Sequence, residues 1–144
     1  MTRIVLIFAA FITFAMITPA RSEGIFIIAN PSVDTSEPIT RQQIAAIYLL
    51  RVTLWPDGTH IVPVNREHGC DIREQFTSLI LRQGDDALAA YWNQMHFQGK
   101  LPPLVQESER AMVAFVRTVP GAIGYISSDT PPTGVKVLRY VPAQ

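Results

Sequence analysis

Short apolar runs alternate along the chain with amphipathic stretches, and the short runs predict β-strands. Runs rich in β-branched residues predict strands at Gly24–Ala29 and at residues 61–64. Two further runs predict strands at residues 122–126 and 135–141, separated by the turn-forming sequence DTPPTG. Each run has the length of a strand and ends at proline, glycine or polar residues.

Apolar residues spaced three or four positions apart predict four helices between these strands. Thr40 and Gln43 form a capping-box pattern that opens the first. The second and third are predicted over residues 71–82 and 85–95, and the fourth runs from a Ser108 cap to residue 118. Their apolar stripes are Ile44, Ile47 and Tyr48; Phe76, Leu79 and Ile80; Leu88, Trp92 and Met95; and Met112, Phe115, Val116 and Val119. Strands interleaved with helices predict an α/β domain in which helices cover a sheet.

The N-terminal segment has the three parts of a secretory signal peptide. Arg3 supplies positive charge, residues 4–17 form an uncharged apolar run, and Ala20 and Ser22 are the small residues expected at a cleavage site. The alternative is a retained membrane anchor, but fourteen residues fall short of the roughly 20 that a span needs. We therefore expect cleavage after Ser22, with cleavage after Ala20 as the second choice, followed by export to the periplasm and one mature domain at residues 23–144.

Charge and cysteine content narrow the range of partners. The full chain has 12 Lys and Arg and 12 Asp and Glu, and removing residues 1–22 leaves a net charge of about −2. This near-neutral balance gives no electrostatic reason to bind nucleic acid or anionic lipid. Cys70 is the only cysteine, so no internal disulfide can form. We expect its thiol to be buried, and the alternative is a free thiol that pairs between chains.

Sequence patterns typical of enzymes and metal sites are missing. There is no Gly-x-Ser-x-Gly elbow, phosphate-binding P-loop or pair of catalytic carboxylates. His68 and Cys70 have zinc-ligand chemistry, but no fourth ligand is evident. We expect a protein that is not an enzyme and that carries neither a metal nor a cofactor.

The segment at residues 61–76, IVPVNREHGCDIREQF, indicates an anion site. A predicted strand runs into Arg66 and then, after Gly69, into the N-terminus of a helix. Unpaired N–H groups at a helix N-terminus attract anions, and a guanidinium group suits phosphate or carboxylate. The same residues allow a plainer interpretation, in which Arg66 lies on the surface and pairs with Glu67 or Asp71. The segment alone leaves both interpretations open.

Three stretches resemble the second lobe of phosphate-type periplasmic solute-binding proteins, the type II class that serves ABC importers. They are TRQQIAAIYLLRVTLW at residues 40–55, PVNREHGCDIREQF at 63–76 and AFVRTVPGAIGYIS at 114–127. They lie in the family's order and spacing. The resemblance implies the fold of a single lobe of a type II periplasmic-binding protein, with a mixed sheet flanked by helices.

The resemblance also implies a ligand-binding site at five positions. Arg66 matches the arginine that grips an anion oxygen, and Gly69 matches the glycine before the helix. Cys70, Asp71 and Ile72 stand where the family has Ser-Gly-Thr, so both hydroxyl groups are lost. The carboxylate of Asp71 can cap the helix and would repel phosphate, at a cost of roughly 4 kcal/mol for a like charge about 4 Å away at intermediate dielectric.

Two further departures from the family concern a loop and the length of the chain. Leu50 stands where the family commonly has glycine, and residues 23–39 are too few to hold the first lobe's phosphate loop. Because a buried anion needs nearly all its oxygens hydrogen-bonded, we expect a single lobe to bind phosphate or another small oxyanion weakly, with an ABC permease as partner. The alternative is a ligand-free interaction or regulatory module whose exposed cleft face binds another periplasmic protein or a second copy.

Overall fold

The computed structural model describes residues 24–144, and the predicted signal peptide and its cleavage site lie outside these residues. The elements in chain order are β1 (Gly24–Ala29), α1 (Arg41–Tyr48), β2 (Val62–Arg66), α2 (Asp71–Phe76) with a following π-helical turn (Thr77–Leu81), α3 (Asp85–Phe97), β3 (Leu104–Gln106), α4 (Glu109–Thr118), β4 (Ala122–Ser127) and β5 (Lys136–Pro142). None of the helices within residues 24–144 is long and apolar enough to cross a membrane.

The strands form one mixed sheet in the order β3-β2-β4-β1-β5. β2 runs parallel to β3 and β4, whereas β1 runs antiparallel to β4 and β5. The predicted α/β class and mixed sheet are therefore confirmed. β3 was not predicted, because three residues are too few to show a period.

Helices cover both faces of the sheet. The larger core lies under α1, α2 and the π-helical turn, and includes Ile25, Ile27, Ile44, Tyr48, Trp55, Phe76, Leu79, Ile123 and Tyr125. The smaller core lies under α4 and includes Ile28, Val64, Met112, Val116 and Ile126. β1 and β4 contribute alternate residues to both cores because they are central strands, which explains why their sequences are almost continuously apolar.

The helix predicted over residues 71–82 departs from α-helical geometry in its second half. α2 ends at Phe76, and the following turn is closed by a 2.8 Å hydrogen bond from the Arg82 N–H to the Thr77 carbonyl oxygen. Leu79, Ile80 and Leu81 are all buried. The wider π-helical turn lets three successive side chains face the core, whereas a regular α-helix turns them onto different faces.

The two glycines of the Pro-Gly-Ala-Ile-Gly-Tyr segment allow close approaches around β4. Gly121 has a φ of 76°, and a Cβ there would lie 2.2 Å from the carbonyl oxygen of His60. A Cβ at Gly124 would lie 2.4 Å from the sulfur of Met112 on α4. Larger residues would therefore displace the chain before β4 or the helix packed upon it.

Candidate functional site

A groove of about 1020 Å³ lies at the edge of the sheet where β2, β3 and β4 end. Parallel strands end at the same edge, so residues that are distant in sequence meet there. The groove is lined by Arg66, Cys70, Asp71, Ile72, Glu74, Gln75, Ser78, Leu79, Glu107, Ser108, Glu109, Ser127, Asp129, Ala143 and Gln144. It thus gathers four of the five predicted site residues. Gly69, with a φ of 83°, lines a neighbouring groove instead.

Two tyrosine hydroxyls position β2 beside β4. The backbones of the two strands are paired only at Val62 with Ala122 and at Pro63 with Ile123. Farther along, the Tyr48 hydroxyl donates to the carbonyl oxygen of Val64 at 2.9 Å. The Tyr125 hydroxyl accepts from the backbone N–H of Arg66 at 3.1 Å and donates to the side-chain oxygen of Asn65.

Both tyrosines remain protonated at neutral pH. Burial raises the pKa of Tyr125 to about 12 and holds the pKa of Tyr48 well above its usual value. The two hydroxyls therefore act as neutral hydrogen-bonding groups that satisfy the backbone of β2 where β4 no longer does.

The guanidinium group of Arg66 is held in a fixed orientation. Its side chain is only 8% exposed. Nε donates to the carbonyl oxygen of Gln106 at 3.1 Å, and Nη2 donates to the carbonyl oxygen of Glu107 at 3.2 Å and to the carboxylate of Glu67 at 3.1 Å. Nη1 has no hydrogen-bond partner among residues 24–144. Arg66 lines the groove, and Nη1 is the guanidinium nitrogen that these hydrogen bonds leave unused.

The plainer interpretation of Arg66 was right about one partner and wrong about exposure. Glu67 forms the ion pair, whereas Asp71 does not, and Arg66 is buried. Sequence reasoning missed Arg73, whose Nη1 donates to the carbonyl oxygen of Arg66 at 2.9 Å. Arg73 therefore ties α2 to the end of β2.

The first turn of α2 has no side-chain cap. Cys70 is the N-cap residue and is half-buried rather than buried as expected, and its thiol donates to the carbonyl oxygen of Glu67 at 3.2 Å. Asp71 is exposed, and its carboxylate makes no hydrogen bond within residues 24–144. The first N–H groups of a helix have no intrahelical partners. In α2 the N–H of Arg73 already donates to the carbonyl oxygen of Cys70 at 3.0 Å, so within the described residues the uncapped N–H groups beside Arg66 are those of Asp71 and Ile72.

Glu109, which sequence reasoning also missed, occupies the start of α4. Its carboxylate accepts hydrogen bonds from the backbone N–H of Ser127 and from the hydroxyl of Thr130. The side chain of Ser108 caps the same helix by accepting from the N–H of Ala111 at 3.0 Å. The start of α4 is thus occupied by the chain's own groups, whereas the start of α2, beside Arg66, has no side-chain cap.

Within the described ranges, no three His, Cys, Asp or Glu side chains are placed to hold a metal ion. Residues 9–140 match the PBP superfamily domain, and the chain belongs to that family.

Solved structures of phosphate-transport proteins share the fold. An ABC-type phosphate transport receptor from Vibrio cholerae superposes with a TM-score of 0.63 at 23% identity, over 81% of this chain and 45% of that one. A putative phosphate ABC transporter substrate-binding protein with bound phosphate, from Clostridium perfringens, superposes with a TM-score of 0.64 at 22% identity. The match covers 81% of this chain and 44% of that protein. PstS from Borrelia burgdorferi superposes with a TM-score of 0.61 at 16% identity, and the match covers 80% of this chain and 46% of PstS.

The chain therefore spans less than half the length of these solved proteins and corresponds to a single lobe of their fold. No protein with a curated description matches its sequence. The solute-binding family and the predicted single-lobe architecture are confirmed, whereas the ligand-binding residues stay a prediction.

Proposed function

We propose that this chain is a periplasmic solute-binding domain that holds phosphate or another small oxyanion weakly, in the service of an ABC importer. The observation that carries the proposal is the state of Arg66, a groove-lining residue whose side chain is buried and fixed by Gln106 and Glu107 while its Nη1 is not used in any of these hydrogen bonds. A fixed guanidinium loses little side-chain entropy when it binds an oxyanion. The backbone N–H groups of Asp71 and Ile72, at the start of α2, are the further donors in this proposal.

The proposed site is weak for two reasons that can be read from its groups. Glu67 already neutralises part of the charge of Arg66, and the carboxylate of Asp71 lies at the start of α2. The groove is also open to water, so a ligand keeps much of its hydration and gains less from each hydrogen bond. These features support binding in the millimolar range, at a Kd on the order of 1 mM.

Isothermal titration calorimetry with phosphate and sulfate tests this function. The purified protein should give saturable heat, and Arg66→Gln should abolish it. Arg51→Gln is the matched control, because Arg51 is exposed in the loop that leads into β2, away from the groove. Thermal melts of both variants establish that each is folded. No heat from the unaltered protein at millimolar ligand would contradict the proposal and favour the ligand-free interaction module.

A further inference from the structure

The backbone of Arg66 is held by two side chains on the side where β4 no longer pairs with β2. The pairing of β2 with β4 ends at Pro63. Beyond it, the backbone N–H of Arg66 donates to the hydroxyl of Tyr125 at 3.1 Å, and the carbonyl oxygen of Arg66 accepts from Nη1 of Arg73 at 2.9 Å. The peptide groups on both sides of the Arg66 Cα are therefore fixed by hydrogen bonds to side chains.

Arg73 makes the stronger kind of contact of the two. A hydrogen bond donated by a guanidinium group is charge-assisted, and such bonds are roughly twice as strong as neutral ones. The backbone N–H of Arg73 also donates to the carbonyl oxygen of Cys70. Arg73 thus bonds the residue that precedes the loop at residues 67–70 and the last residue of that loop, and it joins the end of β2 to the start of α2.

Arg73 does not line the groove that Arg66 lines. It lines the neighbouring groove of about 670 Å³, together with Gly69 and Arg82. Burial raises the pKa of Tyr125 to about 12, and the positive charge of Arg73 opposes this rise, so the guanidinium of Arg73 also acts on the Tyr125 hydroxyl. Arg73 is therefore placed to act on the two hydrogen bonds of the Arg66 backbone rather than on a ligand.

The proposed oxyanion site should depend on this support. Cys70 and Ile72 stand where the family that the chain resembles has hydroxyl groups, so the site relies on Arg66. A binding group works only when the groups around it hold it in the productive geometry. We propose that Arg73 is a positioning residue for oxyanion binding, which fixes the end of β2 and thereby the direction in which the Arg66 side chain leaves the backbone. This inference rests on the proposed function, because it concerns the affinity of the same site.

Arg73→Met tests the inference, because methionine keeps an unbranched side chain and removes both the charge and the donor. Calorimetry with phosphate should show about fivefold weaker binding than in the unaltered protein. Arg73→Lys keeps a cationic donor, so its affinity should lie between those two. Arg82→Met is the matched control, because Arg82 lines the same neighbouring groove but is exposed and does not bond Arg66. It should leave the affinity unchanged.

Amide hydrogen exchange provides a second measurement that needs no ligand. The N–H of Arg66 should exchange faster in Arg73→Met than in the unaltered protein, and Arg82→Met should not change its rate. Ile44→Val removes one methyl group from the core under α1, outside the groove. This variant reports what general destabilisation does to exchange and to affinity, and its affinity should equal that of the unaltered protein.

The outcomes distinguish this inference from the proposed function. Unchanged phosphate affinity in Arg73→Met, or an equal loss in Arg82→Met or Ile44→Val, would overturn the inference and leave the proposed function standing. An unchanged exchange rate at Arg66 in Arg73→Met would also overturn the inference, whatever the affinity. Absence of phosphate binding by the unaltered protein would overturn the proposed function and this inference together.

Discussion

The hydroxyl of Tyr125 lies 3.1 Å from the backbone nitrogen of Arg66, so the last tyrosine of the Pro-Gly-Ala-Ile-Gly-Tyr segment supports the groove directly. The ring of Tyr125 stacks on Phe76 of α2, with centroids 3.9 Å apart and planes 6° apart. One side chain therefore connects β4 to both β2 and α2. The position of Arg66 depends on the packing of the core behind it.

Replacing Tyr125 with phenylalanine should weaken both the fold and the groove. The ring can keep its stacking, but the side-chain oxygen of Asn65 and the backbone N–H of Arg66 lose their partner. Unpaired buried polar groups cost about 1–3 kcal/mol. We expect urea denaturation to show a loss in this range and calorimetry to show weaker oxyanion binding.

Tyr91→Phe is the matched control for the effect on binding. This substitution also removes one hydroxyl, which donates to the carbonyl oxygen of Leu49. Tyr91 is not among the residues that line the groove. Its oxyanion affinity should equal that of the unaltered protein. An equal loss of affinity in both variants would contradict a specific link from Tyr125 to Arg66.

Stability should fall at alkaline pH because of Tyr125. Burial raises its pKa from 10.0 to about 12 in the folded state. The contribution of Tyr125 to the free energy of unfolding is complete below pH 10. It decreases between pH 10 and 12, because the Tyr125 hydroxyl loses its proton at lower pH in the unfolded chain than in the folded protein. The decrease is about 1.4 kcal/mol per pH unit, about 3 kcal/mol in all. Urea titrations from pH 9 to 12 should show a shallower fall for Tyr125→Phe, and parallel curves would contradict this assignment.

The sequence predicts contacts that form within a few residues and misses those that join distant segments. The caps at Thr40 and Ser108 follow from side chains that reach the next turn of their own helix, and the structure contains both. Glu109 gave no such signal, because its partners Ser127 and Thr130 lie 18 and 21 residues away. The family pattern indicated the groove at Arg66, but a charge count along the chain could not show that exposed carboxylates would gather around it.

Gly124 is required by the packing of α4 on β4. In Gly124→Ala, the new Cβ would lie 2.4 Å from the sulfur of Met112 and 3.0 Å from a methyl group of Val116. Overpacking of this kind costs about 1–3 kcal/mol. The measurement is the free energy of unfolding, with Gly84→Ala as control because nothing lies within 4 Å of its added Cβ. The control should change stability by less than about 1 kcal/mol, and similar losses in both variants would contradict the packing argument.

Glu109 should stabilise the loop that follows β4. In Glu109→Gln, a neutral amide replaces the carboxylate that accepts from Ser127 and Thr130. Hydrogen bonds to a charged group contribute about 1.5–3 kcal/mol, and the amide oxygen keeps part of this. We expect a loss of about 1 kcal/mol in chemical denaturation and faster amide exchange at Ser127. Glu107→Gln alters an exposed neighbour and should stay within about 0.5 kcal/mol. Unchanged exchange at Ser127 would show that Glu109 does not hold this loop.

Leu50 is the position where a single substitution should stabilise the protein. It follows α1 with a φ of 56°, in the left-handed region that costs a residue with a Cβ about 1–2 kcal/mol. The N–H of Leu50 donates to the carbonyl oxygen of Ile47, and the N–H of Arg51 donates to that of Ala46. This pair of hydrogen bonds is a helix C-terminal motif that favours glycine at the position of Leu50. Leu50→Gly should therefore raise the free energy of unfolding by about 1 kcal/mol, measured by urea denaturation. Leu50→Ala also removes the leucine side chain but keeps a Cβ in the left-handed conformation, so this variant should not be more stable than the unaltered protein. Equal stability of the glycine and alanine variants would contradict the argument.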